Sequence, residues 1–425
     1  MRNLRTSLGL ASATVLLLAA CAAPGTSPAP GGTPAGSPGE PPAGSPAGSP
    51  AASPGESPAG SPAASPPGSP PASPGQSPSG ELAPVQLQLQ WEPQAQFAGY
   101  FAADRERYYA EEGLQVEFLR GGSEIIPQNV GSDPNGPEFT ISWVPKVLEV
   151  RANNVSDLVN IAQVFQRSGT RSVSWAAGAG PDPTSDENIT SPEQFEGKNI
   201  GVWDFGNEYE VTAAGKLHGL EPDVDYTKVI QPFNMDLLLN REVDVAEAMI
   251  YNEYAQVLET ENPKTGDLYQ PEDLNVIDYN EVGTAMLQDA IFARQAWLDE
   301  EGNEDVATRF LRASFRGWMF CRDNQDRCIE YTVDAGSTLP AGHQAWMMNE
   351  INPLIWPSPE GIGQMPVDFW EQTVEVSIGA EIIPDQPDEG AYRTDLAEAA
   401  REGIDGDVNG ADFQKGEVEV TPGGN

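Results

Sequence analysis

Three features of this sequence predict an α/β fold of two hinged lobes with a ligand cleft between them. Strand-like and helix-like runs alternate from residue 85 onward. A second series of the same kind follows a loop at 178–192 that is rich in Gly, Pro, Asp and Ser. A strand-like run at 290–293 then looks like a return to the first series. Two crossings between lobes make a hinge.

The first lobe opens at 85–91, where apolar and polar residues alternate as in a strand. A helix is expected over 97–112, then a strand over 114–118 that ends before Gly121 and Gly122. A short strand at 139–142 leads into a helix at 144–153, and strands at 158–165 and 173–177 follow. The second lobe reads as strand 199–203, a break at Gly206 and Asn207, helix 208–218, strand 226–230 and helix 235–240. Strand 245–251, helix 252–260 and a short strand at 275–278 complete it. Beyond 290–293 the pattern is helical, over 305–321, 326–335, 342–351 and 368–379. The expected boundaries are 82–178 plus 285–395 for the first lobe, 179–284 for the second, and 396–425 for a loose acidic tail.

The N-terminus carries a different message. Arg2 and Arg5 precede an apolar run at 8–18, shorter than the roughly 20 residues that span a bilayer and suited to the core of a signal peptide at 1–20. Leu18-Ala19-Ala20-Cys21 resembles the bacterial lipobox. That resemblance implies acylation of Cys21 and an extracytoplasmic protein, lipid-anchored to the outer face of the cytoplasmic membrane. Residues 21–81 then read as a disordered linker: 22–80 hold 18 of the chain's 39 prolines and no aromatic residue, too little apolar surface to offset the entropy of ordering.

The charge balance is 64 acidic against 23 basic residues, net −41, which excludes nucleic acid as a partner because phosphate binding needs a basic surface. Such acidity fits a saline habitat or plain solubility. With Cys21 acylated, Cys321 and Cys328 form an even pair that reads as a disulfide in an oxidising compartment, the alternative being two free thiols. His218 and His343 are the only histidines and sit in no ligand-spaced cluster, and no Gly-x-Ser-x-Gly occurs. Neither a metal site, a cofactor nor a serine hydrolase is expected.

Two stretches then become recognisable. Trp91-Glu92-Pro93-Gln94-Ala95-Gln96-Phe97-Ala98-Gly99, followed by Tyr108-Tyr109-Ala110-Glu111-Glu112-Gly113-Leu114, resembles the opening of the thiamine-precursor and sulfonate branch of type II solute-binding proteins, also called the no-message-in-thiamine family. Weaker matches lie at 197–203, 242–248 and 310–317, in order. The resemblance implies a type II periplasmic-binding-protein fold and the substrate-binding subunit of an ABC importer, with a permease and an ATPase as partners. Relatives bind thiamine pyrimidine precursors, riboflavin or other flat heterocycles; others bind nitrate, taurine or alkanesulfonates. Some eukaryotic relatives are thiamine-pyrimidine synthases with a histidine in a Pro-Asn-x-x-His-x-Gly pattern. Here Phe97 stands at that position, between Pro93 and Gly99, and the iron-binding cysteine motif is absent, so no enzyme is expected. One hinged cleft needs no second copy, so a monomer is expected.

Ligands of open α/β sheets bind beyond the carboxyl ends of the strands. That rule and the resemblance together select Trp91, Gln94, Gln96 and Phe97, then Ser142 and Trp143, from the first lobe. From the second they select Trp203, Phe205, Asn207, Glu208, Tyr251, Asn252 and Glu253. Trp91, Trp143 and Trp203 could equally be core aromatics, and Phe97 could pack the first helix onto its sheet. The set is aromatic and acidic, with no Arg or Lys in its segments. Flat rings stack on such faces, whereas an anion wants cations, so a neutral or cationic heterocycle is favoured over nitrate or a sulfonate.

Overall fold

The computed structural model describes residues 81–180 and 188–425. The signal peptide at 1–20, Cys21 and all but the last residue of the 21–81 linker lie outside the described residues. The first lobe begins with β1 (Ala83–Gln88), whose Val85 and Leu87 are buried. The single helix expected over 97–112 does not form. A 3-10 turn at Ala95–Phe97 leads instead into α1 (Ala98–Arg105) and α2 (Tyr108–Glu111). Arg107 takes a left-handed φ of 66° between the two, which no α-helix tolerates. Then come β2 (Leu114–Leu119), α3 (Pro127–Ser132), β3 (Phe139–Ser142), α4 (Val144–Ala152) and β4 (Leu158–Gln163).

The chain crosses to the second lobe with β5 (Thr170–Trp175) and continues through β6 (Asn199–Val202), α5 (Tyr209–Leu217), β7 (Thr227–Ile230) and α6 (Asp236–Leu239). β8 (Val245–Met249), α7 (Glu253–Leu258), β9 (Leu274–Asp278) and α8 (Tyr279–Val282) follow. It returns with β10 (Ala290–Arg294), then α9 (Gln295–Leu298), α10 (Asn303–Asp323), α11 (Gln325–Asp334), α12 (Ala341–Ile355), α13 (Val367–Gly379) and α14 (Asp395–Arg401).

The two sheets repeat one topology. The first runs β2-β1-β3-β10-β4 and the second β7-β6-β8-β5-β9. β1 pairs in parallel with β2 and β3, and β6 with β7 and β8. The strand that arrives by crossing is antiparallel in each: β10 between β3 and β4, β5 between β8 and β9. The lobe boundary at 178 is therefore corrected, because β5 makes its hydrogen bonds in the second sheet and the first crossing falls before Thr170. β3, β4 and β8 are buried along their whole length, as strands covered on both faces are.

The helices after β10 complete the first lobe. α1 lies against α10 so closely that a Cβ on Gly317 would stand 2.0 Å from the Gly99 carbonyl oxygen, and one on Gly99 would stand 2.2 Å from the Trp318 ring. Cys321 near the end of α10 and Cys328 in α11 are joined by a disulfide. The tail is not loose. α14 buries Leu396, Ala397 and Ala400 in the first lobe's core. Beyond it, Ile362 and Ser358 donate main-chain hydrogen bonds to Val408 and Asn409. Val420 packs on the second lobe's apolar cluster, and Gly423 N–H donates to the Glu259 carbonyl. Among the described residues no helix is long and apolar enough to cross a membrane.

Candidate functional site

The cleft is built where the parallel strands of both sheets end. Gln90 and Trp91 follow β1, and Gln94 and Gln96 sit at the turn into α1. Trp143 caps the start of α4, directly after β3. Facing them are Trp203 after β6, Asn207 before α5, Phe233 after β7, and Met249, Tyr251, Asn252 and Glu253 from the end of β8 into α7. These residues enclose a cavity of about 40 Å³, against the roughly 10–15 Å³ that one water needs on that measure.

Aromatic faces close its mouth. Phe233 meets Trp91 of the other lobe with ring centroids 3.9 Å apart and lies nearly parallel to Trp203 at 5.8 Å and 14°. Trp203, Met249 and Tyr251 join the apolar cluster of the first lobe, so the lobes are in contact. Two hydrogen bonds fasten α4 to the segment before and at the start of α5: Lys146 Nζ donates to Asn207 Oδ1 at 2.7 Å, and Tyr209 Oη donates to Glu149 Oε2 at 2.6 Å.

Behind the aromatics lies a layer of buried polar groups. Gln94 donates to Gln96 Oε1 at 2.7 Å, and Gln96 donates to both oxygens of Asp289 at 2.9 and 3.0 Å. Burial pushes the Asp289 carboxyl up to about 7, against the pull of Gln96. Glu253 accepts from the Met249 N–H at 3.0 Å, and burial pushes it likewise to about 7. Glu247 accepts the Trp203 N–H at 2.9 Å and is raised well above the ordinary carboxylate range by burial. Lys146, 4.4 Å over the Trp143 ring, is lowered to about 8 by burial, with Glu208, Asp289 and Glu247 opposing that shift.

Two residues of the lining carry a buried polar atom in its wall: the Gln90 side-chain amide oxygen has no protein partner, and the Trp143 indole N–H is directed at the Asp289 carboxyl. Leaving such an acceptor unpaired costs about 1–3 kcal/mol. The cavity thus lies between aromatic faces, lined by the side-chain amides of Gln90, Gln94 and Gln96 and beside the carboxyl of Glu253.

Of the residues chosen from the sequence, Trp91, Gln94, Gln96, Trp143, Trp203, Asn207, Tyr251, Asn252 and Glu253 line this cavity. Four do not. Phe97 closes the 3-10 turn and points into the first lobe's core, fully buried. Ser142 is buried at the end of β3, its hydroxyl 3.5 Å from Gln128 Oε1. Phe205 takes a positive φ of 61° and is 56% exposed. Glu208 turns back to accept the Gly206 N–H of its own loop at 2.9 Å. Sequence reasoning missed Gln90, Phe233 and Met249 in the lining and Lys146, Glu247 and Asp289 behind it. Phe233 follows β7 as Trp203 follows β6, so the strand-end rule applied to β7 would have found it. The site also holds a lysine after all, although three carboxylates surround it. Among the described residues no cluster of His, Cys, Asp and Glu could hold a metal ion.

Residues 94–328 match the family model described as "NMT1/THI5 like". A similar curated protein is the formylaminopyrimidine-binding protein of Halalkalibacterium halodurans, 25% identical over 253 residues, which cover 58% of this chain and 69% of that protein. Among solved structures, the periplasmic aliphatic sulphonate binding protein SsuA from Escherichia coli superposes with a TM-score of 0.51 at 13% identity, covering 72% of this chain and 90% of its own. A putative periplasmic sulfonate-binding protein from Methylobacillus flagellatus KT gives 0.53 at 14% identity, covering 76% and 94%. At such identities the likeness shows a shared fold, the two-lobed periplasmic-binding-protein fold.

Proposed function

The chain belongs to the NMT1/THI5-like family, and on that premise we propose that it is the substrate-binding component of an ABC importer, capturing a small flat heterocycle of the aminopyrimidine class outside the cytoplasm. The observation that carries this reading is the convergence of the Trp91, Trp203 and Phe233 rings with the side-chain amides of Gln90, Gln94 and Gln96 and the Glu253 carboxyl around one small cavity. An aminopyrimidine edge presents both an N–H donor and a ring-nitrogen acceptor, and its face stacks on Trp or Phe. The name of the Halalkalibacterium relative supports the same class. Nitrate or a sulfonate would meet one cation, Lys146, beside carboxyl groups whose ionised forms burial already disfavours and an added anion would disfavour further.

A receptor of this kind closes on its ligand and does no chemistry. The position held by histidine in the synthase pattern is Phe97, packed in the core. The test is a thermal-shift titration of the purified protein with formylaminopyrimidine, riboflavin, taurine and nitrate. A ligand at 100 times its dissociation constant adds about 2.7 kcal/mol to stability. Stabilisation by the pyrimidine alone is expected; stabilisation by taurine or nitrate alone would overturn the ligand class, and product formation from any of them would overturn the receptor reading. The tether is part of the proposal: Cys21 carries acyl chains and the 21–81 segment spaces the lobes from the membrane. Cys21→Ala should move the protein from the detergent phase to the aqueous phase on phase separation, and unchanged partitioning would remove the anchor.

A further inference from the structure

A larger cavity, about 520 Å³, lies across the hinge from the cleft. Its volume is within the range of small-molecule sites. Its charged lining is Arg167, Arg171 and Lys415 against Asp278 and Glu350, a formal +1 (three cations less two anions) in a chain of net −41. Arg171 pairs with Asp278 at 2.9 Å, and Lys415 with the buried Glu350. Arg167 differs. Its Nη1 and Nη2 donate to the carbonyls of Pro353 and Pro357 at 3.2 and 3.0 Å. Among the described residues no carboxylate pairs with it, and a guanidinium has five N–H groups. Leu354, Ile250 and Phe369 supply apolar wall beside it.

We propose that this cavity is a second ligand site, for a small organic monocarboxylate whose head pairs with Arg167 and whose apolar body lies on Leu354 and Phe369. Arginine holds a carboxylate in a two-pronged geometry that suits the free side of its fork. The partition from the cleft is thin. Ile250 lines this cavity while its neighbours Met249 and Tyr251 line the cleft. At Gly169 a Cβ would stand 3.0 Å from Leu354 Cδ1 on one side and 3.1 Å from Met249 Cε and Tyr251 Cε1 on the other. Gly169 accepts the Ile250 N–H on its carbonyl at 2.9 Å. The cavity walls also come from both lobes, with α12 and α13 on one side and β5 and β9 on the other. An occupant would bias the lobes toward the arrangement that fits it, and so shift affinity in the cleft. That coupling rests on the cleft being a ligand site; the second site itself does not.

The experiment is calorimetric titration of the full chain with phenylacetate, acetate and phenethylamine. Phenylacetate should bind saturably, acetate more weakly for want of an apolar body, and the cation phenethylamine not at all. Arg167→Gln should weaken phenylacetate by about tenfold or more, the loss of a charge-assisted hydrogen bond. Lys415→Gln, read beside its melting temperature because it also unpairs the buried Glu350, should weaken it about threefold as a more distant charge. Trp203→Ala, in the cleft, should leave phenylacetate binding in place. No saturable binding, binding indifferent to both charge variants, or binding lost in Trp203→Ala would each overturn the proposal, and the last would place the anion in the cleft.

Discussion

Trp143 illustrates how a single side chain serves the cleft twice. Its ring supports Lys146 at 4.4 Å, and its indole N–H is directed at the Asp289 carboxyl. Trp143→Phe keeps the face and removes the donor. If the donor serves the ligand, affinity for formylaminopyrimidine should fall about fivefold, the worth of about 1 kcal/mol for a neutral hydrogen bond; equal affinity by calorimetry would remove the role. Asp289 gives a second residue-level expectation. Its pKa is raised from 3.8 to about 7 on folding, by burial first. The folded state thus holds the proton more tightly than the unfolded chain. Its contribution to stability is fully present below about 3.8, falls as pH rises, and is lost above about 7. Asp289→Asn removes this dependence, so melting temperature should vary less across that window than in the wild type; parallel profiles would show that other groups set the slope. At this scale the sequence was legible wherever a residue directly follows a parallel strand, as Trp91, Trp143 and Trp203 do. It left Phe97 between cleft and core, and the 3-10 turn puts that ring in the core; it passed over Lys146, which reads as an ordinary helix position until α4 is seen against Asn207.

At the scale of elements, the α1–α10 crossing explains why Gly99 and Gly317 stand where they do. Neither has an unusual φ; both are needed because the two helices approach within backbone contact. Gly317→Ala would drive a methyl into the Gly99 carbonyl, and overpacking of this kind costs about 1–3 kcal/mol. Chemical denaturation should show that loss with the slope against denaturant unchanged; full stability would mean that the helices separate freely. Most strands and helices were legible from their periodicity, and the return at β10 was found; the break at Arg107 was not. The identity of the sheet that takes β5 was not, because alternation marks a strand and says nothing about its partners. The disulfide was legible because Cys321 and Cys328 stand seven residues apart, in a chain whose start resembles that of an exported protein.

For the whole molecule, the tail changes what holds the lobes together. Two crossings make the hinge, but residues after α14 add a third link. Val408 and Phe413 pack on the first lobe's core, Lys415 pairs with Glu350 of α12, and Val420 packs on the second lobe. Gly423 then donates to the Glu259 carbonyl in the turn after α7, where Glu259 also meets His343 of α12 at 2.8 Å. An acidic, glycine-rich composition gave no sign of this, since the contacts are main-chain hydrogen bonds, a few scattered apolar residues and one ion pair. A strap that spans both lobes favours the closed arrangement in which its two ends reach their sites. Removing residues 412–425 should therefore free the lobes without touching the cleft lining. Small-angle scattering of the truncated protein should show a larger radius of gyration than the full chain. Its ligand off-rate should rise by about tenfold, as about 1.4 kcal/mol of closure energy is lost, while the on-rate stays within a factor of about three, since mutants of one site vary mainly in off-rate. If radius and off-rate both stay unchanged, the hinge and the Lys146–Asn207 contact hold the lobes closed without the tail.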